Sequence, residues 1–576
     1  LQLVGQAVIR KYDQDENVTN KKIINYDWDN NEVREKRTPN SAERRYQKTL
    51  SKNFTLYADY KKNFNDRHDL SVMVGTSHES ENYDRFTAKR INFDQQENMS
   101  LQLGSAQDQN AWSEGNQWTI NSFFSRVNYT FANKYVIEGT IRADGSSRFD
   151  PDHRWGWFPG VNVAWRVGEE GFMKRLGWFE DLKVRASYGE MGNQSGIGLY
   201  DYIQLISLSN DYYPFGTGVK GQMATSGNII STSRTWETIQ TTNVGFDFST
   251  LNNRLYGSFD YFWKENKNML IPKTYPSMLG ADAPSTNSGH LSIHGWEISL
   301  GWRDQIKDFS YSVRFNISDA KNKVVDRVGS NLIQLGNNET PTGYPLNSYF
   351  GYEFDGIIQN EQELEAYKSR FSEGGIPGDL SVGDAMYKDL DGDGKLSVLG
   401  DGKEGSGDVK YLGDKNPRYN FGFNLSMAWK GFDLSAFIQG VGRRTMFLEG
   451  ESRCPMPEAW YQSAEYWYGK TWIPERTDAQ YPAITLKDKR NYNYYVSTNT
   501  KFNVAYARLK NLQFGYTIPQ TLTSKAGLQK VRVYFSGEDL FEVHNTPNGW
   551  DPEENSGSIT SYPFTRNYSF GINVVF

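Results

Sequence analysis

The chain has 576 residues, with 63 Lys+Arg against 69 Asp+Glu, a formal net charge of −6, one Cys and 15% aromatics. A single Cys excludes an internal disulfide framework, and the weakly acidic balance argues against nucleic acid as a partner. No stretch approaches the roughly 18 consecutive apolar residues of a membrane-spanning helix, and aromatics interleaved with Val, Ile and Leu exclude disorder.

The chain opens on Leu1-Gln2-Leu3-Val4-Gly5-Gln6-Ala7-Val8-Ile9-Arg10, a strand-like run with no initiator Met and no basic segment followed by an apolar core. The expectation from this opening is a C-terminal portion of a longer chain. From there, two-residue alternation is the main signal. Tyr135, Ile137, Gly139, Ile141 and Ala143 share one face, with Glu138, Thr140, Arg142 and Asp144 on the other. Val161, Val163, Trp165 and Val167 repeat the pattern, as do Leu182, Val184, Ala186 and Tyr188 against Lys183, Arg185 and Ser187. So do Val244, Phe246 and Phe248; Trp296, Ile298, Leu300 and Trp302; Phe309 through Ile317; and Phe421 through Trp429. Leu512, Phe514, Tyr516 and Ile518 follow, then Val531, Val533 and Phe535, then Tyr568, Phe570, Ile572, Val574 and Phe576. One face is lipid-like and the other too charged for a sandwich core, which predicts strands with lipid on one side and a wet lumen on the other.

Connections alternate in length. Short ones lie at 131–134, 250–253, 303–308 and 430–431; long ones are expected at 13–50, 81–115, 191–234, 321–416, 441–500 and 542–562. Compact soluble domains seldom carry structureless connections beyond about 15 residues, whereas outer-membrane barrels pair short periplasmic turns with long extracellular loops. The fold class is therefore all-β, a transmembrane antiparallel β-barrel of roughly sixteen strands in this chain with long extracellular loops. Aromatic girdles are expected at Trp155, Trp157, Phe158 and Trp165, at Tyr261, Phe262 and Trp263, and at Tyr349, Phe350 and Tyr352.

Several stretches carry a family resemblance. In order they are Arg142-Ala143-Asp144-Gly145-Ser146-Ser147-Arg148-Phe149, then Arg154-Trp155-Gly156-Trp157-Phe158-Pro159, then Asp181 to Gly189 with Gly192-Asn193-Gln194. Asn416-Pro417-Arg418-Tyr419-Asn420-Phe421-Gly422-Phe423, Lys430-Gly431-Phe432-Asp433-Leu434 and Tyr506-Ala507-Arg508-Leu509-Lys510-Asn511-Leu512 continue the series. Val533 to Phe541 and Asp551-Pro552-Glu553 complete it. The chain resembles the SusC/RagA family of TonB-dependent outer-membrane transporters of Bacteroidetes. The resemblance implies a barrel of about 22 strands filled by an N-terminal plug. It implies location in the bacterial outer membrane, a SusD-like surface lipoprotein partner, and import of large nutrients, oligosaccharides or peptides, driven through TonB acting on the plug. On this reading residues 1–576 are the C-terminal part of the barrel, and the plug and first strands lie outside the chain.

The sharpest local motif is Asp389-Leu390-Asp391-Gly392-Asp393-Gly394-Lys395, in which hard oxygen ligands alternate around a glycine turn as in the first half of an EF-hand loop. Asp389, Asp391 and Asp393 would supply carboxylates to Ca2+ and Lys395 a backbone carbonyl. Gly400 occupies the place of the usual twelfth-position acid, and Asp401 is the expected substitute. An affinity of roughly 10⁻⁴–10⁻³ M and a structural role are expected. Trp460, Tyr461, Tyr466, Trp467, Tyr468 and Trp472 form an aromatic cluster suited to cargo, to a partner, or to packing within the loops. The six His show no metal-binding pair spacing, and there is no GxSxG or phosphate loop. An enzyme is not expected. The alternative to an importer is a non-energised scaffold whose loops serve adhesion or a secretion or surface complex.

Overall fold

A computed structural model describes residues 1–209, 214–215, 219–220, 223–227, 229–272, 278, 285–327, 341–399, 407–457, 463–485, 489–554, 557, 562 and 564–576. Sixteen strands join one sheet in sequence order. They are β1 (Gln2–Asn20), β2 (Ser41–Phe64), β3 (His68–Ile91), β4 (Gln109–Phe131), β5 (Tyr135–Ser146), β6 (Trp155–Arg166), β7 (Asp181–Asn193) and β8 (Glu237–Thr250). Then come β9 (Leu255–Pro272), β10 (Ser285–Ile306), β11 (Phe309–Arg327), β12 (Arg418–Trp429), β13 (Phe432–Arg443), β14 (Tyr506–Thr517), β15 (Lys530–His544) and β16 (Asn567–Val575). Registers from β1 to β5 and from β10 to β16 are antiparallel throughout. Among the described residues no helix is long and apolar enough to cross a membrane.

By contacts the chain divides into two compact units, one of Leu1–Val163, Gly189–Ile239 and Leu270–Asn287, the other of Ala164–Tyr188, Gln240–Met269 and Ser288–Phe576. In the first, the registers Phe131↔Tyr135, Tyr129↔Ile137 and Val127↔Gly139 line up an apolar row. Tyr135 is 44%, Ile137 49% and Ile141 44% exposed, so this row has no protein interior to enter and matches a lipid-facing surface. On the opposite face Glu138 accepts hydrogen bonds from Asn128 Nδ2 (3.3 Å) and Asn162 Nδ2 (3.0 Å).

In the second unit one row runs Trp302–Val313–Leu425–Ala436–Leu512 across five strands. A second, Phe309–Trp429–Phe432–Tyr516, lies beside the short turns and forms an aromatic band. Tyr and Trp prefer such an interface because the ring is apolar and its edge polar. The polar face carries Arg185, which reaches Asp260 (2.6 Å) and Asp247 (3.2 Å), with Lys183 also on Asp247 (2.7 Å).

The short turns are built from left-handed residues, Asn65 and Asp66 (φ 54° and 55°) between β2 and β3 and Lys430 and Gly431 (φ 44° and 90°) between β12 and β13. Two such residues in succession match the right-handed twist of a hairpin.

Two expected long connections are shorter than the sequence suggested. β1 runs to Asn20 and β2 starts at Ser41, and within 21–40 sits a hairpin of Ile23–Tyr26 with Glu32–Lys36. β3 continues to Ile91 and β4 begins at Gln109. These strand ends are polar on both faces, so apolar alternation could not mark them. Cross-strand pairs tie them, with Arg44 Nη2 on Asp15 (2.7 Å) and Tyr46 Oη donating to Asp13 (2.9 Å). The other four long connections fall where expected, between β7 and β8, β11 and β12, β13 and β14, and β15 and β16. The third expected girdle is corrected. Tyr349, Phe350 and Tyr352 lie in a short strand, Ser348–Tyr352, within the β11–β12 connection and are buried there. Phe158 is also buried, against Phe149, Ile197 and Trp236, whereas Trp155 and Trp157 are exposed.

The two faces predict unequal tolerance of charge. Ile137→Arg should cost about 2–4 kcal/mol in equilibrium folding into vesicles, and Thr140→Lys on the wet face well under half of that. Equal costs would contradict the assignment of faces.

Candidate functional site

The chemistry-bearing residues concentrate in the connections β11–β12 and β13–β14. These form a body of their own because their aromatics bury one another. One cluster centres on Tyr367, Tyr387 and Tyr492 with Ile358, Leu364 and Leu380. The three phenols at its centre are satisfied. Tyr367 and Tyr492 share a hydroxyl–hydroxyl bond of 2.8 Å, Tyr387 Oη donates to the Tyr492 carbonyl (2.8 Å), and Tyr387 N donates to Tyr367 Oη (2.9 Å). Burial pushes Tyr387 and Tyr492 far above the usual phenol range, so both stay neutral and hydrogen-bonded. Asn493 links the two connections, donating to Asp384 Oδ1 (2.8 Å) and accepting from Ala385 N (3.0 Å). A second cluster holds Met446, Cys454, Trp467, Tyr481, Tyr494 and Trp550.

This placement sorts the aromatic candidates. Trp467 and Trp472 are buried, and Trp472 Nε1 donates to Gln359 Oε1 (3.0 Å). Tyr466 is half-buried and shares a 2.6 Å hydroxyl bond with Tyr481. These three hold the loops together. Tyr468 is 90% exposed and, among the described members of the set, is the one presented to solvent. Trp460 and Tyr461 lie outside the described residues.

The acidic turn folds as a series of carboxylate–amide contacts. Asp389 accepts from Gly392 N (2.6 Å) and Gly394 N (2.9 Å), Asp391 from Asp393 N (3.2 Å), and Asp393 from Lys395 N (2.7 Å). Gly392 and Gly394 have φ of 76° and 75°, a conformation that favours glycine. Asp389, Asp391 and Asp408 each bring a carboxylate oxygen within 4.8 Å of the others. Asp393 stands outside that trio, and Asp401 lies outside the described residues. Asp408 was missed from sequence because it falls well beyond the EF-hand spacing. It is brought in by its own bonds, accepting from Leu390 N (2.6 Å) and Ser397 N (2.7 Å). Burial, then the neighbouring carboxylates, raise Asp391 and Asp408 above the ordinary value. Three hard oxygen donors that repel one another are the donor set a divalent cation suits.

The sequence hallmarks act as paired pins between distant segments. Arg148 donates to the Ile197 carbonyl (2.7 Å), Ser146 to Gln194 (2.6 Å), and Asn193 to Glu237 (2.7 Å). A Cβ on Gly192 would lie 2.2 Å from the Phe158 ring, so only glycine fits there. Arg418 grips Asp319 with both arms of its fork, and Arg532 Nε donates to Asp433 (2.9 Å). Arg508, buried to 1%, meets Asp551 (2.7 Å), Glu553 (3.1 Å) and Glu542 (3.5 Å), with its guanidinium 4.2 Å from the Phe564 ring. The motif around Tyr506 and the Asp551-Pro552-Glu553 motif are therefore two halves of one ion cluster.

The TonB dependent receptor-like β-barrel family matches residues 8–540. The chain belongs to that family, a class of outer-membrane receptors and not of enzymes, and its resemblance to the SusC/RagA branch holds. TonB-dependent receptor P3 of Formosa agariphila is 32% identical over 558 residues, covering 92% of this chain and 52% of that protein. TonB-dependent receptor SusC of Bacteroides thetaiotaomicron is 26% identical over 563 residues, covering 91% and 50%. Among solved structures, a chain of the RagAB peptide transporter superposes with a TM-score of 0.80 at 23% identity, over 99% of this chain and 60% of that one, which shows the fold. The chain spans about half the length of the curated relatives it matches.

Removing Arg508 takes the shared cation from three carboxylates, with Lys510 still reaching Glu553 (3.0 Å) and Arg566 still reaching Glu542 (2.7 Å). Arg508→Ala should destabilise the β14–β15 region by about 3–5 kcal/mol and open residues 545–554 to protease, with Arg508→Lys intermediate; unchanged cleavage would contradict the ion-cluster reading. Glu353 is held at about 2, below its ordinary 4.5, by hydrogen bonds from Lys388 and then Lys410. A depressed carboxylate stabilises above its unfolded value, so this contribution is full above pH 4.5 and disappears as pH falls towards 2. Glu353→Gln should flatten loop stability over that window, as followed by hydrogen exchange.

Proposed function

We propose that this chain forms the barrel of a TonB-energised importer of oligomeric nutrients, oligosaccharides or peptides, in the bacterial outer membrane. The energy-transducing plug is supplied by sequence outside these 576 residues, and a SusD-like surface lipoprotein works over the long connections. The observation that carries the reading is the family match across residues 8–540. Supporting it are the loop body fixed by tyrosine pairs and a relative named SusC. The chemistry of import asks for a rigid wall and for loops of fixed shape, since the cargo is selected by contacts and no bond is made or broken. Tyr468 is the exposed aromatic among the described members of the candidate cluster and is assigned to contact with cargo or lipoprotein.

The test uses the full-length protein in its native outer membrane. Uptake of labelled oligosaccharide or peptide should fall when the proton gradient is collapsed, and Tyr468→Ala should reduce uptake or lipoprotein co-purification several-fold. Uptake indifferent to the gradient would replace the importer with a passive scaffold.

The turn around Asp389, Asp391 and Asp408 is assigned to structural Ca2+, with Asp408 taking the place first given to Asp401. Raised carboxylates bind protons more readily than ordinary ones, so Ca2+ affinity should weaken as pH falls, starting above the usual carboxylate range. Calorimetric titration should give a binding isotherm for the native protein and none for Asp391→Ala or Asp408→Asn. Identical heats for all three would reject the site.

A further inference from the structure

A cleft of about 390 Å³ lies where β11, β12 and β13 reach their long-connection ends. Five cationic side chains line it, Lys321 and Lys323 from β11, Arg418 from β12, and Arg443 and Arg444 at the end of β13. They surround a single lining carboxylate, Asp414, which already accepts from Tyr411 Oη (2.7 Å) and Asn416 N (3.0 Å).

Three features make this more than a solvated basic patch. Arg418 and Arg443 are direct register partners on adjacent strands, an arrangement of like charges that destabilises a sheet unless something neutralises it. Asp319 forms its contact ion pair with Arg418 and feels Lys321 only at longer range. Among the described residues Lys321, Lys323 and Arg443 have no ion-pair partner within 4 Å. The surplus charge is also felt nearby. Lys501, outside the strands, is lowered first by burial and then by Arg443 and Lys410.

We propose that this cleft is an oxyanion site, taking a phosphate, sulfate or carboxylate group borne on a saccharide. Guanidinium forks match the spacing of two oxygens on such a group, and the lysines add point charge. Two sources carry that chemistry to this position. His294 pairs with Lys321 in register, two places beyond the Trp296↔Asp319 pair and four beyond Ile298↔Ile317. On β11, Lys321 and Lys323 therefore continue the face of the apolar row and begin where it ends, at the level of lipid headgroups. The same ends also meet the long connections, where an acidic oligosaccharide cargo would arrive. The site does not rest on the import reading, because binding is measured directly.

The experiment is calorimetric titration of the full-length protein in detergent with inorganic sulfate and phosphate. Native protein should bind, Arg443→Ala and the double variant Lys321→Ala/Lys323→Ala should bind at least tenfold more weakly, and Arg443→Lys should fall between. Lys62→Ala, which does not line the cleft, should bind as the native protein does. Correct folding of each variant is read from heat-modifiable gel mobility. Competition by vesicles of a phosphorylated glycolipid, absent with the dephosphorylated lipid, assigns the site to the membrane. Competition by an acidic oligosaccharide, absent with its neutral counterpart, assigns it to cargo. No anion binding, equal binding by folded variants, or competition by neither saccharide-borne anion would overturn the proposal.

Discussion

Hydrocarbon offers no partner to a backbone amide, and this constraint organises the rest of the molecule. Each unpaired peptide group in lipid costs several kcal/mol, so each strand must lie against neighbours, and sequential antiparallel pairing is the topologically simplest way to arrange that. The sheet follows it, with sixteen strands in strict sequence order. Because side chains alternate across a strand, the same constraint separates the lipid-like row through Ile137 from the wet row through Glu138. The polar face is then free to hold charge, and clusters such as Arg185 with Asp247 and Asp260 occupy it.

With the sheet spending its apolar surface outward, hydrophobic burial has to be found elsewhere. It is found in the connections. The tyrosines at 367, 387 and 492 and the tryptophans at 467 and 472 bury one another and satisfy their polar tips locally. Loops of this length would otherwise lose too much conformational entropy to hold a shape. Ion clusters extend the principle towards the sheet, with Arg508 drawing in Asp551 and Glu553 from the β15–β16 connection. Rigid loops on a rigid wall are what the proposed selection of large cargo by contact requires.

Legibility from sequence followed the physics of each region. Strands with one apolar face were readable because period two is a strong signal, as at Tyr135–Ala143 and Phe421–Trp429. The extended ends of β1 to β4 were not, because Asp13, Asp15, Arg44 and Tyr46 hold them by polar pairing that leaves no hydrophobic period. Tyr349, Phe350 and Tyr352 resembled a girdle because aromatic composition alone does not distinguish a membrane interface from a buried loop strand. The turn at Asp389–Lys395 was visible through its spacing, whereas Asp408 arrives through tertiary hydrogen bonds that no local motif encodes. The basic cleft was invisible for the same reason, since its five cations come from the ends of three strands, the first separated from the other two by the long β11–β12 connection.

The assignment of faces is tested most directly by depth-dependent fluorescence quenching. Single Trp substitutions at successive positions from Tyr135 to Arg142 would be introduced in a background lacking other emitters near that strand and reconstituted with lipids carrying bromine on the acyl chain. The account predicts strong quenching at 135, 137, 139 and 141 and weak quenching at 136, 138, 140 and 142. Uniform quenching, or an alternation with the opposite phase, would contradict it.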